Sequence, residues 1–391
     1  MWRCPAAVAL AVLLGCQPEQ RESAPPPTQP ATSDAAAAPQ PAPAELRLAC
    51  VDERGDLSLL DPSNLAKPRV IARAVQGPVQ WSADGSEAAY LCGDTLVWLD
   101  LGRGSARPLD ARPEPQGVAL SPDGATLACV EGGRVRVWAE GQQETPVEGP
   151  VHCTTVSWSP DSTQLAISAM AEANAEEKDG GVWLWQGKGA ARRIVPAAEG
   201  WGSSQDIHWS PDGQWLAWAR GAGDGWSGDL ARADGSELKR DVLGAGPLEW
   251  LPDSSGLLVM TPLEAGATAV GLYRAAGGRV APLGPQDEWT DACLATDGGR
   301  ALILRRSAEA RPIMVDLATG QEQEWGPAVS AEEAAWSPDG TIAVAARADE
   351  GAVLWLIGGD GQQVTRTQVK LAAQPGALQW VKAPGARPSP P

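Results

Sequence analysis

The chain has 391 residues, with 31 Lys and Arg against 49 Asp and Glu, so its formal net charge is −18 at pH 7. A chain this acidic repels phosphate backbones, which argues against nucleic acid as a partner. Hydrophobic residues make up 43% of the chain, enough for a core, while 44 Gly and 34 Pro favour turns over long helices.

The N-terminal segment has the pattern of an export signal. Arg3 precedes an apolar run from Ala6 to Leu14, which is too short to span a bilayer as a mature helix. The segment ends in Leu-Leu-Gly-Cys, which resembles the lipobox of bacterial lipoproteins. The resemblance implies that residues 1–15 are a cleaved signal peptide and that Cys16 is acylated. An ordinary cleaved signal is the alternative.

The residues after Cys16 are rich in Pro and Ala and cannot bury a core, so residues 16–44 are predicted to be a tether. As extended polyproline the tether would reach roughly 85 Å, at ~3.1 Å per residue. In the lipoprotein family, Gln rather than Asp after the acylated Cys favours the outer membrane, and Gln17 stands here. We therefore expect a cell-envelope protein that faces the periplasm and contacts the membrane through its lipid anchor only.

A repeated pentapeptide, Trp-Ser-Pro-Asp-Gly or a degraded form of it, organises the rest of the chain. Its copies begin at Trp81, Leu120, Trp158, Trp209, Trp250, Leu294 and Trp336. Pro presets the φ of a turn and Gly accepts positive φ, so the pentapeptide closes a tight hairpin. A short alternating strand precedes each copy, and two apolar strands and a weaker fourth follow it. Four short strands in about 40–45 residues make one blade of a β-propeller.

The ends of this region complete one more blade. Residues 46–74 supply the later strands of a blade, and residues 377–382 supply a leading strand with nothing after it. Their pairing would close the ring and remove its open edges. The sequence therefore predicts an all-β chain with a single propeller of four-stranded blades over residues 45–382. Eight blades are expected, with seven as the alternative, followed by a disordered tail at 383–391.

These repeats resemble the TolB-type propeller repeat, a relative of the WD-type repeat, over roughly residues 45–382. The resemblance implies a β-propeller and a protein-binding or scaffolding role. It transfers no activity, because the matching motif is a turn and not a site.

The repeated Asp residues suggest either a ring of carboxylates or a set of structural turns. Asp side chains in turns commonly accept hydrogen bonds from their own backbone, which favours the structural interpretation. The copies are Asp84, Asp123, Asp161, Asp212, Asp253, Asp297 and Asp339.

The strand before each repeat also predicts which residues line the central channel. Apolar residues stand two positions before each Trp position, and they should pack between blades because strand side chains alternate. The residues one position before should then face the channel. The small or polar candidates for that lining are Gln80, Ser157, His208, Glu249, Cys293 and Gln379.

Loop placement suggests a partner-binding face. The longest connections, among them the predicted loop 220–229, fall between second and third strands or between blades, which lie on one face of a propeller, and they cluster on blades three to five. Exposed Trp is a common interface anchor. The predicted face consists of Trp201, Trp226, Trp289, Asp224, Asp229, Asp287 and Glu288. Alternatively, the three Trp fold back over the blade core.

Catalytic signals are few. The chain has two His, no Gly-x-Ser-x-Gly motif, no His pair at metal spacing and no Cys-x-x-Cys, so no catalytic residue, metal or cofactor is predicted. One segment, 316–320 followed by Trp325, resembles the tryptophan-docking repeat of quinoprotein propellers, but a turn after a strand explains it better. Five Cys remain after the signal and Cys16, and the sequence leaves their pairing open.

Together these observations predict a lipid-anchored, periplasm-facing propeller that acts as a non-enzymatic protein-binding or scaffolding module. The expected partners are unidentified envelope proteins, and the expected state is a monomer. The alternatives are a quinoprotein-like or metal-dependent propeller enzyme, and a small-molecule sensor acting through the central channel.

Overall fold

The computed structural model describes residues 46–382, apart from 114–116, 140–143, 171–179, 198–203, 223–224, 264–267, 285–288, 306–309, 349–350, 360, 363 and 372–377. Within these residues the chain forms 32 β-strands. Across the same residues, we find no helix with the length and apolar character needed to cross a membrane. The predicted signal, tether and tail, and with them Cys16, lie outside the described residues.

The strands assemble into eight antiparallel four-stranded sheets, the blades of a propeller. Each blade is given from its innermost strand outward. Blade 1 consists of β4 (Val75–Trp81), β5 (Glu87–Cys92), β6 (Thr95–Asp100) and β7 (Ser105–Pro108), and blade 2 of β8 (Val118–Leu120), β9 (Thr126–Glu131), β10 (Arg134–Ala139) and β11 (Thr145–Pro146). Blade 3 consists of β12 (Cys153–Trp158), β13 (Leu165–Ala169), β14 (Gly181–Trp185) and β15 (Arg192–Pro196), and blade 4 of β16 (Ser204–Trp209), β17 (Trp215–Ala222), β18 (Gly225–Arg232) and β19 (Leu238–Lys239).

The next three blades follow the same order. Blade 5 consists of β20 (Gly246–Trp250), β21 (Gly256–Pro262), β22 (Thr268–Arg274) and β23 (Arg279–Pro282). Blade 6 consists of β24 (Trp289–Leu294), β25 (Arg300–Arg305), β26 (Ile313–Asp316) and β27 (Glu322–Glu324), and blade 7 of β28 (Ser330–Trp336), β29 (Ile342–Ala348), β30 (Gly351–Ile357) and β31 (Val364–Leu371).

Blade 8 joins the two ends of the propeller. Its strands are β32 (Leu378–Lys382), innermost, then β1 (Leu46–Val51), β2 (Leu57–Asp61) and β3 (Asn64–Ala72). β1 pairs antiparallel with β32, from Leu46 opposite Lys382 to Cys50 opposite Leu378. The predicted eight-bladed ring, closed by its terminal strands, is confirmed, and the seven-bladed alternative is wrong.

The hydrophobic core is divided among the seams between neighbouring blades. Eight buried clusters each draw residues from two adjacent blades, so every seam has its own core. At the seam of blades 4 and 5, for example, Leu230 and Leu243 pack with Trp250 and Tyr273. Because apolar burial stabilises in proportion to area, this stabilisation is distributed around the ring.

The repeated Asp residues belong to structural turns, as the second of the two interpretations predicted. In all seven, the Asp carboxylate accepts the backbone N–H two residues later, at 2.8–3.1 Å. At Asp161, hydrogen bonds from the Ser159 hydroxyl and from the Thr163 N–H hold the pKa of the carboxyl below its ordinary value. Asp316 likewise accepts the Thr319 N–H at 2.7 Å, so the segment resembling a docking repeat is a turn.

Two turns also connect neighbouring blades. Ser162 and Ser254 stand where other copies have Gly, and each has a φ of 61°, a region that ordinary side chains seldom adopt. The Ser162 hydroxyl accepts the Asp123 N–H of the preceding blade, and the Ser254 hydroxyl accepts the Asp212 N–H, both at 3.0 Å. These hydrogen bonds from the turn of the preceding blade offset the backbone strain.

The five described cysteines are free thiols. Burial raises the pKa of Cys50, Cys129 and Cys153 to about 12. The thiolate is the reactive form of cysteine, so these three act as small core residues.

Candidate functional site

The most prominent feature of blade 4 is its central hairpin. β17 and β18 pair without interruption as far as Ala222 opposite Gly225. The segment 220–229, predicted to be a loop, is therefore paired strand over its described residues, 220–222 and 225–229. The loop prediction was wrong because Gly and polar residues, rather than alternating apolar ones, fill this strand extension.

Trp226 lies near the tip of this hairpin, opposite Gly221. Its side chain is 45% exposed, and every other Trp in the described part of the chain is buried or half-buried. An exposed Trp on a paired strand presents a large apolar surface at low cost in conformational entropy. Of the predicted partner-binding face, Trp226 is therefore the residue that the structure places at the surface.

An ion-pair network holds the base of the same hairpin. Asp229 is fully buried and accepts hydrogen bonds from Arg220 Nε and from the Asp241 N–H, both at 2.9 Å. Arg240 approaches the same carboxylate at 3.4 Å, and Arg220 also contacts Asp241 at 2.5 Å. The assignment of Asp229 to an exposed acidic face is thus wrong, because Arg220 pairs with it across the hairpin.

The other members of the predicted face fall into two groups. Trp289 is half-buried at the start of β24 and packs against the core at the seam of blades 5 and 6, as the fold-back alternative anticipates. The remaining members, Trp201, Asp224, Asp287 and Glu288, lie outside the described residues.

The innermost strands show the alternation on which the channel prediction depends. Two positions before each Trp position, Val79, Val118, Val156, Ile207, Ala292, Ala334 and Leu378 are buried, and Leu248 is half-buried. One position before, the predicted channel-lining side chains are more accessible to solvent, whereas Ala119 of blade 2 is buried. Glu249 and Gln379 are exposed, and Gln80, Ser157, His208 and Cys293 are half-buried. Gln80 and Ser157 line one cavity of about 290 Å³.

Three carboxylates of the innermost strands reach across successive seams. Each follows a β-bulge, between Pro247 and Glu249, between Trp289 and Asp291, and between Ala331 and Glu333. Bulges redirect side chains, and here each carboxylate accepts a backbone N–H of the following blade. The bonds run from Leu294 to Glu249 (2.8 Å), from Ala334 to Asp291 (3.1 Å) and from Leu378 to Glu333 (3.2 Å).

Two of these carboxylates have raised pKa values. Glu249 reaches water, but protein surrounds most of it, and this burial raises its pKa to about 7, with the Asp291 charge adding to the effect and the bond from Leu294 opposing it. Burial also raises the pKa of Asp291, against hydrogen bonds from Ala334 and Ala292. Burial, then the nearby charge of Asp291, raises the pKa of Cys293 well above its ordinary value.

Glu249 was named from the sequence, but Asp291 and Glu333 were not predicted to act in the same way. The available signal is their register, since both stand three residues before a Trp position in consecutive repeats. This register does not by itself predict the contact, because a bulge changes which side chains face inward and the sequence pattern does not mark the bulges.

Indole hydrogen bonds supply a second kind of seam contact. Four Trp side chains donate to the backbone of the preceding blade: Trp158 to Ala119, Trp209 to Ser157, Trp250 to His208 and Trp380 to Ala335, at 3.0–3.3 Å. Leu294 replaces Trp in blade 6 and cannot donate from its side chain. At that seam the Glu249 carboxylate accepts a hydrogen bond from the backbone N–H of Leu294.

Across the ranges that the structure describes, no three His, Cys, Asp or Glu side chains are grouped so that they could hold a metal ion.

These features define an eight-bladed β-propeller with one exposed Trp on a braced hairpin and carboxylates along part of its inner wall. No protein-family model matches the chain, and no curated protein matches it in sequence.

Several solved propellers are similar in fold. A dihydro-heme d1 dehydrogenase, NirN, in complex with DHE has a TM-score of 0.62 at 14% identity, over 85% of this chain and 75% of that chain. An oligogalacturonate lyase in complex with manganese has a TM-score of 0.50 at 14% identity, over 83% and 98%. TolB from Acinetobacter baumannii has a TM-score of 0.41 at 13% identity, over 61% and 62%. At 14% identity the likeness to the first two shows the fold alone.

Proposed function

We propose that this chain is a lipid-anchored propeller of the cell envelope that faces the periplasm and binds other envelope proteins as a non-enzymatic scaffold. The outer membrane is the proposed location, and the anchor is the proposed acyl group on Cys16. The support for the anchor is the export signal and the lipobox-like segment of the sequence.

The observation that carries the binding role is Trp226. Its ring is 45% exposed, yet the hairpin beneath it is fixed by the buried pair of Arg220 and Asp229. A rigid anchor loses little entropy when a partner covers it, which is the condition for an interface hot spot. A second protein bound to this hairpin would also remove the apolar surface of Trp226 from water.

The test is in-cell crosslinking, capture of the tagged full chain and mass spectrometry. Trp226→Ala is compared with Leu238→Ala, since Leu238 is also exposed on blade 4 (37%) but lies beyond the opposite turn, on β19. We expect one defined envelope partner with the wild type and with Leu238→Ala, and its loss with Trp226→Ala. Equal capture by both variants, with unchanged melting temperature, would refute the assignment of this face.

The anchor is tested separately. Cells given an alkyne-bearing fatty acid should label the wild type and leave Cys16→Ser unlabelled. The wild type should fractionate with outer membranes. Labelling that survives the substitution would overturn the assignment of Cys16 without affecting the binding role.

A further inference from the structure

A groove runs between the outer edges of blades 7 and 8. Its two walls are the outermost strands β31 and β3, and it encloses about 730 Å³. These strands are 8 and 9 residues long, whereas the outermost strands of the other six blades have 2 to 5 residues. At ~3.3 Å per residue, the walls extend for roughly 25–30 Å.

The lining of the groove is net positive in an otherwise acidic protein. β31 contributes Arg366 and Lys370 to it, and neither β3 nor β31 contains Asp or Glu, although the whole chain has a net charge of −18. Arg54 adds a further cation to the lining. This local reversal of sign favours an anionic occupant.

Two carboxylates at one end of the groove, Asp52 and Glu53, stand against the three cations of the lining, which leaves it a net charge of +1. The Asp52 carboxylate accepts the N–H groups of Arg54 and Asp56, both at 2.9 Å, and so belongs to its own turn. Glu53 closes the same end, where its backbone N–H donates to the Lys370 carbonyl at 3.2 Å. One end is therefore shut by backbone contacts between the two blades.

The floor of the groove is apolar. Leu65 and Val369 line it and pack against the core at the seam of blades 7 and 8. Val70, on the β3 wall, is 42% exposed. Exposed apolar side chains in a cleft rimmed by charge are typical of interaction sites.

One cation of the rim is already held in place. The guanidinium of Arg366 lies over the Trp355 ring, 5.7 Å from its centroid. Such cation–π contact restricts the Arg side chain before any ligand arrives, which reduces the entropy lost on binding.

We propose that this groove binds an extended peptide segment of a partner protein in which apolar and acidic side chains alternate. Alternate side chains of an extended chain point in opposite directions, so apolar groups would enter the floor while carboxylates meet Arg54, Arg366 and Lys370. The site is distinct from the Trp226 hairpin, because blades 4 and 8 are diametrically opposed in a ring of eight. Two binding surfaces on opposite blades would let one propeller join two proteins.

The test is fluorescence anisotropy with the purified full chain and a labelled octapeptide, Glu-Leu-Glu-Val-Glu-Leu-Glu-Val. We expect saturable binding that weakens as NaCl is raised. The double variant Arg366→Glu with Lys370→Glu should bind at least tenfold more weakly. Arg192→Glu with Arg279→Glu makes the same change of charge on exposed residues of β15 and β23, and should bind like the wild type.

Three results would overturn the proposal. The first is no saturable change with the acidic octapeptide, and the second is an equal loss in both double variants. The third is tighter binding to phosphatidylglycerol vesicles than to the peptide, abolished by the groove variant, which would make the groove a site for anionic lipid. The Trp226→Ala variant should bind the octapeptide normally, so failure of the scaffold face and failure of the groove are separable.

Discussion

Replacing Asp229 with Asn should destabilise the propeller more than any other isosteric change on the blade 4 hairpin. Asn keeps the volume of Asp but removes the charge opposite Arg220, whose side chain is only 8% exposed. Breaking a buried ion pair by removing one partner typically costs about 3–5 kcal/mol, because the remaining charge stays desolvated. For a domain larger than 250 residues this corresponds to a fall in Tm of roughly 5–10 °C.

Differential scanning calorimetry measures this fall, and two further variants define its origin. Asp94→Asn makes the same change on an exposed residue of the blade 1 hairpin, and should leave Tm unchanged. The double variant Arg220→Met with Asp229→Leu removes both buried charges, and should lose less stability than Asp229→Asn alone. A Tm within 2 °C of the wild type for Asp229→Asn, or a double variant less stable than the single, would refute the interpretation of this pair as a desolvated ion pair.

Three further changes test the seams and the hairpin. Burial holds the folded-state pKa of Glu249 near 7, above its ordinary value of 4.5, so its contribution to stability is present at acidic pH and is lost as pH rises through 7. Water screens this exposed side chain, so Glu249→Gln should remove only about 1 kcal/mol of the difference between pH 5 and pH 8, measured by urea unfolding; an unchanged pH profile would contradict the assignment. Trp158→Phe deletes the 3.1 Å bond to the Ala119 carbonyl and should cost about 1–2 kcal/mol in the same assay; no loss would mean that water replaces the indole. Gly228→Ala places a Cβ 2.5 Å from that of Leu243, so Tm should fall by several degrees, whereas Gly225→Ala, with open space around it, should not lower it comparably.

The blade count could be predicted from sequence because each residue of the repeated turn has a stereochemical role. Pro and Gly fix the backbone, and Asp bonds the N–H two residues later, so even a degraded copy such as Leu-Ala-Thr-Asp-Gly marks a turn. The alternation of the innermost strands could be predicted for the same reason, since a strand has a period of two.

The environment of individual charges could not be predicted in this way. Asp229 has the surroundings of a polar loop in sequence, and only the pairing of β17 with β18 brings Arg220 against it. The groove was also missed, because its walls come from strands at opposite ends of the propeller sequence. Contacts between residues far apart in sequence have no local signature that a single sequence reveals.

The pairing of β1 with β32 has a consequence for how the protein is made. Nearly the entire propeller separates Leu46 from Lys382, so the ring cannot close until the last strand has emerged from the ribosome and, for an exported chain, has crossed the membrane. Strand pairings between residues this far apart in sequence form slowly, and unpaired strand edges are prone to aggregate until they form. A chain cut short before Leu378 would leave the inner edge of β1 unpaired, so only a chain that reaches β32 can close the ring.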